Sequence, residues 1–270
     1  MVIDKSKLVR AVRPNQGVRF RYQAAMLSLI DEMNASVEYW LTAQYRDDPP
    51  LLAQDARSSP SKKMQAKFRT VAKRWTKRFE EAAPRIAEAY LSGAFKATDS
   101  AMRMALKDAG LAVKFQMTPA MRDAFNASLD ENVGLIKSIP AQYLQQVEGV
   151  VARSYAAGRD LSTMVKEIQK LYPVARHRAS LIARDQSNKA NGVVERARRL
   201  ELGITQAVWL HSAGGKTPRP NHVAASGRVY DVTKGCPIKN EKGQLEWIMP
   251  GEKINCRCVS RSVIPVLKTA

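Results

Sequence analysis

The sequence predicts an α+β protein in which a mainly α-helical N-terminal region is followed by a small, loop-rich β module. Two patterns predict this fold class. Apolar residues recur every three or four positions from about residue 18 to residue 202, which is the period of helices that bury one face. After Gly203, short runs rich in Val, Ile and Trp alternate with Gly and Pro, as in strands joined by turns. We therefore predict an N-terminal extension at 1–17, a helical region at 18–202 and a C-terminal module at 203–270.

The first predicted helix carries a single apolar stripe and stops at two consecutive prolines. Pro49 and Pro50 cannot continue a helix because proline lacks the backbone N–H and clashes with the preceding turn. The residues of the stripe are Met26, Ile30, Met33, Val37 and Leu41.

The second predicted helix combines an apolar stripe with a dense basic coat. Its stripe consists of Met64, Phe68, Val71, Trp75 and Phe79. The residues between them form what we call the basic face: Lys62, Lys63, Lys67, Arg69, Lys73, Arg74, Lys77 and Arg78. This face is a candidate for binding DNA phosphates, since phosphate contacts require cations and no base-reading geometry. The alternative is a solvated helix face with extended side chains.

The middle of the helical region is divided by prolines and helix caps. We expect Pro84 to kink the chain or start a new helix. The stripe after it comprises Ile86, Tyr90, Ala94, Ala97, Ala101 and Met104, and Gly110 is the expected end. Thr118 before Pro119 predicts a helix start. Pro140 and Asp160 are predicted to begin two further helices.

The last predicted helix, at about 175–202, has polar residues where an apolar face is expected. Asp185, Gln186 and Lys189 lie on the stripe that Ile182 and Val193 define. Buried polar groups need hydrogen-bond partners. We expect this stretch to bond to irregular backbone of the module that follows; the alternative is that it faces water.

The C-terminal module contains all three cysteines of the chain. A module with many turns and few apolar side chains has a small hydrophobic core. We therefore expect it to need a cross-link such as a bound metal. One imidazole and three thiolates would form a closed structural zinc site, in which no coordination position is left for water. The candidate ligands are His222, Cys236, Cys256 and Cys258. The alternatives are unligated thiols and, less favoured by the local pattern, a Cys–His nucleophile.

The charge balance favours a polyanionic partner. The 270 residues include 44 Lys and Arg against 25 Asp and Glu, a formal net charge of +19. Such a protein attracts nucleic acid over about 8 Å in physiological salt; the alternative is a basic surface that only confers solubility. The start of the chain lacks a secretory pattern, and no apolar run has transmembrane length. We expect synthesis in a reducing cytoplasm and no membrane partner.

Three segments carry a family resemblance. They are "LIARDQSNKANG" on the last helix, "AVWLHSAGGKTPRPNHVAASGRVYDV", and "PGEKINCRC". In this order they resemble the C-terminal region of the phage Mu F-like minor head proteins, the head-morphogenesis family of tailed bacteriophages. The first segment contains Arg184 and Asp185. The closing motif contains Asn255 and Arg257, which flank Cys256.

The resemblance also raises a doubt about the metal. Family members with a cysteine pair in the polar loop have a cysteine where this chain has Arg219, and His222 occupies the second position. Cys236 is then expected to replace the missing ligand. Otherwise no metal binds, and Asn255 and Arg257 hold the loops by hydrogen bonds.

The implied function is a structural, low-copy protein of the phage head without catalytic turnover. It would be made in the bacterial cytoplasm, lie in the virion at or near the portal, and contact portal, scaffold or capsid proteins. Contact with packaged double-stranded DNA would be non-specific. The alternatives are a zinc-dependent, nuclease-like enzyme and a zinc-stapled nucleic-acid-binding module of a mobile element.

Overall fold

The computed structural model describes residues 8–47, 60–156 and 161–264 and confirms the predicted α+β class. Long helices precede a small set of antiparallel strands. The helices are α1 (Gln16–Asp47), α2 (Pro60–Asp108), α3 (Pro119–Ala156), α4 (Leu161–Gln169), α5 (Leu171–Glu201) and α6 (Pro220–Ala224). The strands are β1 (Gln206–Leu210), β2 (Val229–Asp231), β3 (Cys236–Lys239), β4 (Leu245–Ile248) and β5 (Val259–Ser262). The breaks expected at Pro49, Pro50 and Asp160 lie outside the described residues.

The apolar stripes of α1 and of the first half of α2 are buried as predicted. All ten stripe residues are at most 5% exposed. Asn15 caps the start of α1, where its Oδ1 accepts a hydrogen bond from the Val18 backbone N–H at 3.0 Å. Burial of large apolar side chains, at about 1.5–3 kcal/mol each, is the main stabilising contribution to these helices.

Neither Pro84 nor Pro140 begins a new helix: the prediction at Pro140 was wrong, and of the two expectations for Pro84, a kink or a helix start, the helix start was wrong. The two prolines lie inside α2 and α3. A proline within a helix costs about 3 kcal/mol. Neighbouring residues on both sides are almost completely buried, among them Ala87, Ile139 and Tyr143. Their packing maintains the helix through the missing hydrogen bond.

The apolar face of the second half of α2 was predicted one position out of phase. Met104, which we placed inward, is 55% exposed. The inward face consists of Ala83, Ala87, Tyr90, Leu91, Phe95, Met102, Ala105 and Leu106. Alanines occur on all sides of this segment, so they do not indicate which face of the helix is buried. The larger apolar residues Leu91 and Phe95 determine that face.

The predicted cap residues around the end of α2 and the start of α3 are confirmed. Gly110 has φ +89°, and Leu111 N donates to Leu106 O at 2.9 Å, which closes the helix with a left-handed residue. Thr118 Oγ1 accepts from Met121 N at 3.2 Å, and α3 begins at the next residue.

The chain divides into two compact units. The first unit consists of Met1–Phe20, Ala89–Leu129 and Ala183–Ala270, and the second of Arg21–Glu88 and Asp130–Ile182. These units differ from the predicted regions 18–202 and 203–270, which remain predictions based on composition. A helix keeps its 3.6-residue period when it passes from one unit to another, so periodicity gives no signal for such a boundary.

The strands of the first unit form two small antiparallel sheets. β1 lies between β2 and β5, and β3 pairs with β4. Leu8 pairs with Val263, and Val9 N donates to Ser262 O at 3.0 Å, so the described part of the predicted N-terminal extension adds to the edge of β5. Two of the runs rich in Val, Ile and Trp predicted after Gly203 contain β1 and β5; β3, β4 and α6 are too short to give a periodic signal.

Candidate metal centre

The cluster that can hold a metal is built from α6 and the segment before β5. His222 lies on the five-residue helix α6, Cys258 immediately precedes β5, and Cys256 lies two residues earlier. The imidazole and the two sulfurs offer three ligand atoms that all lie within 4.8 Å of one another. The three residues are at most 4% exposed. Three of the four predicted ligands therefore come together.

The distances in this cluster fit tetrahedral zinc. His222 Nδ1 lies 3.4 Å from Cys256 Sγ and 3.8 Å from Cys258 Sγ. Bonds of about 2.3 Å to sulfur and about 2.0–2.1 Å to nitrogen, at the tetrahedral angle, place the two ligand atoms about 3.6 Å apart. Two thiolates and an imidazole are also a ligand set that zinc prefers.

The two thiols of the cluster influence each other's protonation. A hydrogen bond from Cys258 lowers the pKa of Cys256, and His222 contributes in the same direction against the effect of burial. The same hydrogen bond, then burial, raises the pKa of Cys258. The pair therefore favours one thiolate, at Cys256, and one thiol. Because metals bind thiolates, zinc binding would release the remaining proton.

Cys236 does not join the cluster, which corrects the predicted four-ligand set. Among the described residues, no fourth His, Cys, Asp or Glu has a ligand atom within 4.8 Å of all three members. Cys236 begins β3, where it pairs with Ile248, and it is completely buried in the apolar core of the module. Burial raises the pKa of its thiol. Its register in the hairpin makes Cys236 a core residue.

An aromatic side chain supports the cluster from the sheet. Trp209, in the middle of β1, is completely buried, and its ring meets the His222 ring edge-on with centroids 5.2 Å apart. The Trp209 indole N–H has no conventional hydrogen-bond partner among the described residues. It faces the Cys258 sulfur and lowers the pKa of that thiol, against the larger effects of Cys256 and of burial. The imidazole is thus oriented by packing against β1.

The polar stretch of α5 binds the loop that carries the cysteines. Asp185 Oδ1 accepts a hydrogen bond from Asn255 N at 2.7 Å, and Arg184 Nη2 donates to Asn255 Oδ1 at 3.2 Å. Lys189 Nζ lies 3.3 Å from Asp185 Oδ2. Asn255 has φ +58°, which is rare for a residue with a side chain. These bonds confirm that the polar stretch contacts irregular backbone, directly beside Cys256.

Two glycines allow the same loop to approach α5 closely. A Cβ on Gly192 would lie 3.1 Å from Pro250 O, and one on Gly251 would lie 3.0 Å from Asn188 O. Gly251 also has φ +87°, which other residues rarely adopt. The glycines of the "KANG" and "PGEK" segments therefore allow two close approaches, Gly192 to the backbone of Pro250 and Gly251 to the backbone of Asn188.

A second polar network on α5 was missed from the sequence. Arg199 is 4% exposed; its guanidinium donates to Glu195, to Ser260 Oγ at 2.8 Å and to Ser262 Oγ at 2.8 Å. Glu195 is itself buried, which raises its pKa against the opposing effect of Arg199. The signal that could have revealed this pair is the i,i+4 spacing of Glu195 and Arg199 on the inward face.

The buried Arg198 completes the polar face of α5. Its guanidinium donates to both carboxylate oxygens of Asp99, at 2.8 and 2.7 Å, and to Gln116 O at 2.6 Å. The segment 111–117 has no regular secondary structure, and the hydrogen bond from Arg198 to Gln116 O attaches it to α5.

The basic face on α2 is partly occupied by contacts within the second unit. Arg78 pairs with Glu32, Arg74 Nη2 donates to Ser36 Oγ at 2.7 Å, and Lys67 Nζ lies 4.1 Å from the centre of the Trp40 ring. Within the described residues, Lys62, Arg69 and Lys73 form no ion pair. Seven of the eight predicted residues are exposed, and Lys67 is half-buried.

Comparison with known proteins gives a family-model match over part of the chain. The family model described as "Phage Mu protein F like protein" matches residues 145–261, which include α5 and the candidate metal centre. An uncharacterized protein of Haemophilus influenzae is 32% identical over 160 residues. That match covers 58% of this chain and 32% of the relative, so the chain spans about a third of the relative's length. No solved structure matches the chain.

Proposed function

We propose that this chain, which carries a phage Mu protein F like domain at residues 145–261, is a low-copy structural protein of a tailed-phage head. The family indicates phage head morphogenesis. A position at or near the portal, contacts with portal, scaffold or capsid proteins, and the absence of turnover are the finer parts of the proposal. The family match is the observation that carries it.

In this proposal the candidate metal centre has an architectural role. His222, Cys256 and Cys258 would hold a zinc ion, which supplies a cross-link between α6 and the segment before β5. The three residues are buried, and the hydrogen bonds of Asn255 to α5 fix the same segment. Such an arrangement stiffens a module that has a small apolar core.

The direct test of the proposal is the composition of phage particles. Heads are purified from a strain that encodes an epitope-tagged copy of this chain, and the chain is counted against the major capsid protein by quantitative mass spectrometry. We expect a few copies per head, and empty or malformed heads after deletion of the reading frame. DNA-filled, normal heads after deletion, together with particles that lack the chain, would contradict the proposal.

Non-specific DNA contact is the part of the proposal that the basic face supports. The net charge of +19 and the cations of α2 suit a protein enclosed with DNA. We expect Arg69→Gln with Lys73→Gln to weaken duplex binding and to reduce the salt slope by up to about 1.8, since each lost phosphate contact contributes about 0.9.

The matched control for the DNA experiment uses cations that already have partners. Arg74→Gln with Arg78→Gln removes the same charge from the same helix, but these side chains contact Ser36 and Glu32. Their effect on the salt slope should be smaller. An unchanged slope in both double variants would make the basic face a solvated surface.

A second candidate function is a zinc-dependent, nuclease-like enzyme. The cluster provides three ligands where a closed site has four, and His222 also lines a cavity of ≈ 450 Å³ with Glu246 and Lys253. Metal-dependent DNA cleavage that is lost in Cys256→Ser and retained in Cys236→Ser would establish this candidate. No cleavage by zinc-loaded wild-type protein would leave the architectural role.

A further inference from the structure

A cavity in the first unit is lined by four arginines from separate parts of the chain. Arg13 precedes α1, Arg19 lies on its first turns, Arg184 lies on α5, and Arg257 lies between the two cysteines of the cluster. The cavity has a volume of ≈ 320 Å³, and no Asp or Glu is among its lining residues. We call it the arginine pocket.

The guanidinium groups of the arginine pocket have few internal partners. Among the residues that the structure describes, none of the four forms an ion pair with a carboxylate within 4 Å. The buried Nε atoms of Arg19 and Arg184 have no hydrogen-bond acceptor there either. Arg184 Nη2 donates to Asn255 Oδ1, and Arg257 Nη1 donates to Gly214 O. Both contacts are to neutral groups, so they leave the positive charges uncompensated.

The carboxylate beside the pocket is already engaged. Asp185 accepts a hydrogen bond from Asn255 N at 2.7 Å and lies 3.3 Å from Lys189 Nζ. Burial, followed by the charges of Arg257 and Arg19, lowers the pKa of Arg184. Arg257 and Arg19 are therefore close enough to repel Arg184, against the weaker attraction of Asp185, and repulsion between like charges in a partly desolvated site is costly.

An oxyanion would satisfy both the charges and the free donors. Guanidinium presents a planar fork of N–H groups that matches the oxygens of phosphate, and arginine is enriched where phosphate is recognised for this reason. Ser212 also lines the cavity, and its hydroxyl can donate to an anion; the hydroxyl of Ser187, another lining residue, already donates to Ala183 O at 2.7 Å. A compact anion with several oxygens fits this arrangement better than a single carboxylate, which could not engage four arginines.

We propose that the arginine pocket is a phosphate-binding site, for either a free phosphate or a phosphodiester of nucleic acid. This inference goes beyond the proposed role in the phage head and does not depend on it. The site is also separate in kind from the basic face, because it is a concave pocket built from four chain segments and not a row of cations on one helix.

The test measures binding of inorganic phosphate to the full chain. Titration calorimetry is performed in a phosphate-free chloride buffer, and thermal unfolding is recorded with and without phosphate. We expect phosphate to bind and to raise the midpoint of unfolding. The variant Arg13→Gln with Arg19→Gln should raise the dissociation constant about tenfold or more, since it removes two of the four guanidinium groups that would donate charge-assisted hydrogen bonds to the anion.

The variants are chosen so that a folding defect cannot explain the result. Arg13 and Arg19 form no side-chain hydrogen bond within the described residues, so their removal should preserve the fold. Arg85→Gln removes an exposed arginine of α2 in the second unit and serves as the matched control. Arg257→Lys keeps the charge but loses the fork, and it should weaken phosphate binding by less than the double variant.

The source of the phosphate is decided by competition. If a short DNA duplex displaces phosphate from wild-type protein, and Arg13→Gln with Arg19→Gln abolishes this competition, the pocket binds phosphodiesters. If phosphate binds and DNA does not compete, the pocket binds free phosphate or a phosphomonoester. No phosphate binding by wild-type protein, or equal binding by the double variant, would overturn the inference.

Discussion

The helices of the second unit and helix α5 bury opposite kinds of side chain. In α1 and the first half of α2 the inward face is apolar, and the cations lie outside. In α5 the inward face also includes polar residues, namely Asp185, Asn191, Glu195, Arg198 and Arg199. Their partners include loop backbone, serine hydroxyls of β5, and Thr98 and Asp99 on α2.

The difference shows what each kind of burial specifies. Apolar burial scales with area and has no preferred direction, so a helix with an apolar stripe can shift slightly at little cost. Buried hydrogen bonds require a particular partner at a particular distance, and an unpaired buried charge is costly. Helix α5 therefore fixes the position of the segment that carries Cys256 and Cys258, which a second apolar stripe would not do.

The largest expected effect comes from removing one proposed ligand of the metal centre. Under the zinc proposal, Cys258→Ser should abolish zinc binding and lower the free energy of unfolding by several kcal/mol, because metal binding is coupled to folding. Cys236→Ser is the matched control: it changes a buried thiol outside the cluster and should retain about one zinc per chain. Elemental analysis and urea unfolding measure both effects. Wild-type protein that folds without zinc would refute the proposed staple.

The next effect compares a buried ion pair with an exposed one. Arg199→Met leaves the Glu195 carboxylate buried without its cation and should cost about 3–5 kcal/mol. Arg78→Met removes the exposed pair with Glu32 in the second unit and should cost about 0–1 kcal/mol. Urea denaturation gives both values. A similar decrease in the free energy of unfolding in the two variants would mean that the buried pair of α5 contributes no more than the exposed pair of the second unit.

The smallest expected effect concerns the backbone contact between the loop and α5. Gly251→Ala introduces a Cβ 3.0 Å from Asn188 O at a left-handed residue and should cost about 2–3 kcal/mol. Gly243→Ala has a similar φ, +77°, with no atom within 4 Å of the new Cβ, and should cost about 1 kcal/mol. Thermal unfolding compares them. Equal decreases in stability would show that the cost of Gly251→Ala comes from the left-handed backbone alone and not from the close approach of the loop to α5.

The sequence was most informative where neighbouring residues determine the structure. The stripes of α1 and of the first half of α2, the cap at Thr118 and the helix end at Gly110 depend on contacts within a few positions, and they were predicted correctly. The same local rules were wrong at Pro84 and Pro140, where packing from outside the helix maintains it. In the candidate site, chemistry suggested four ligands. The structure joins three, because Cys236 lies on β3, whereas the other three candidates lie on α6 and in the segment before β5.

By itself the sequence determined the α+β class, the apolar stripes, the polar character of α5 and the motifs that resemble the phage family, since periodicity, cap residues and residue type are written along the chain. Only the tertiary structure decided which cysteines lie beside His222, which buried carboxylate faces Arg199, and that Arg13, Arg19, Arg184 and Arg257 line one cavity. The physical reason is sequence separation. These residues are brought together by strand pairing and loop packing, whose register depends on the whole fold and leaves no local pattern.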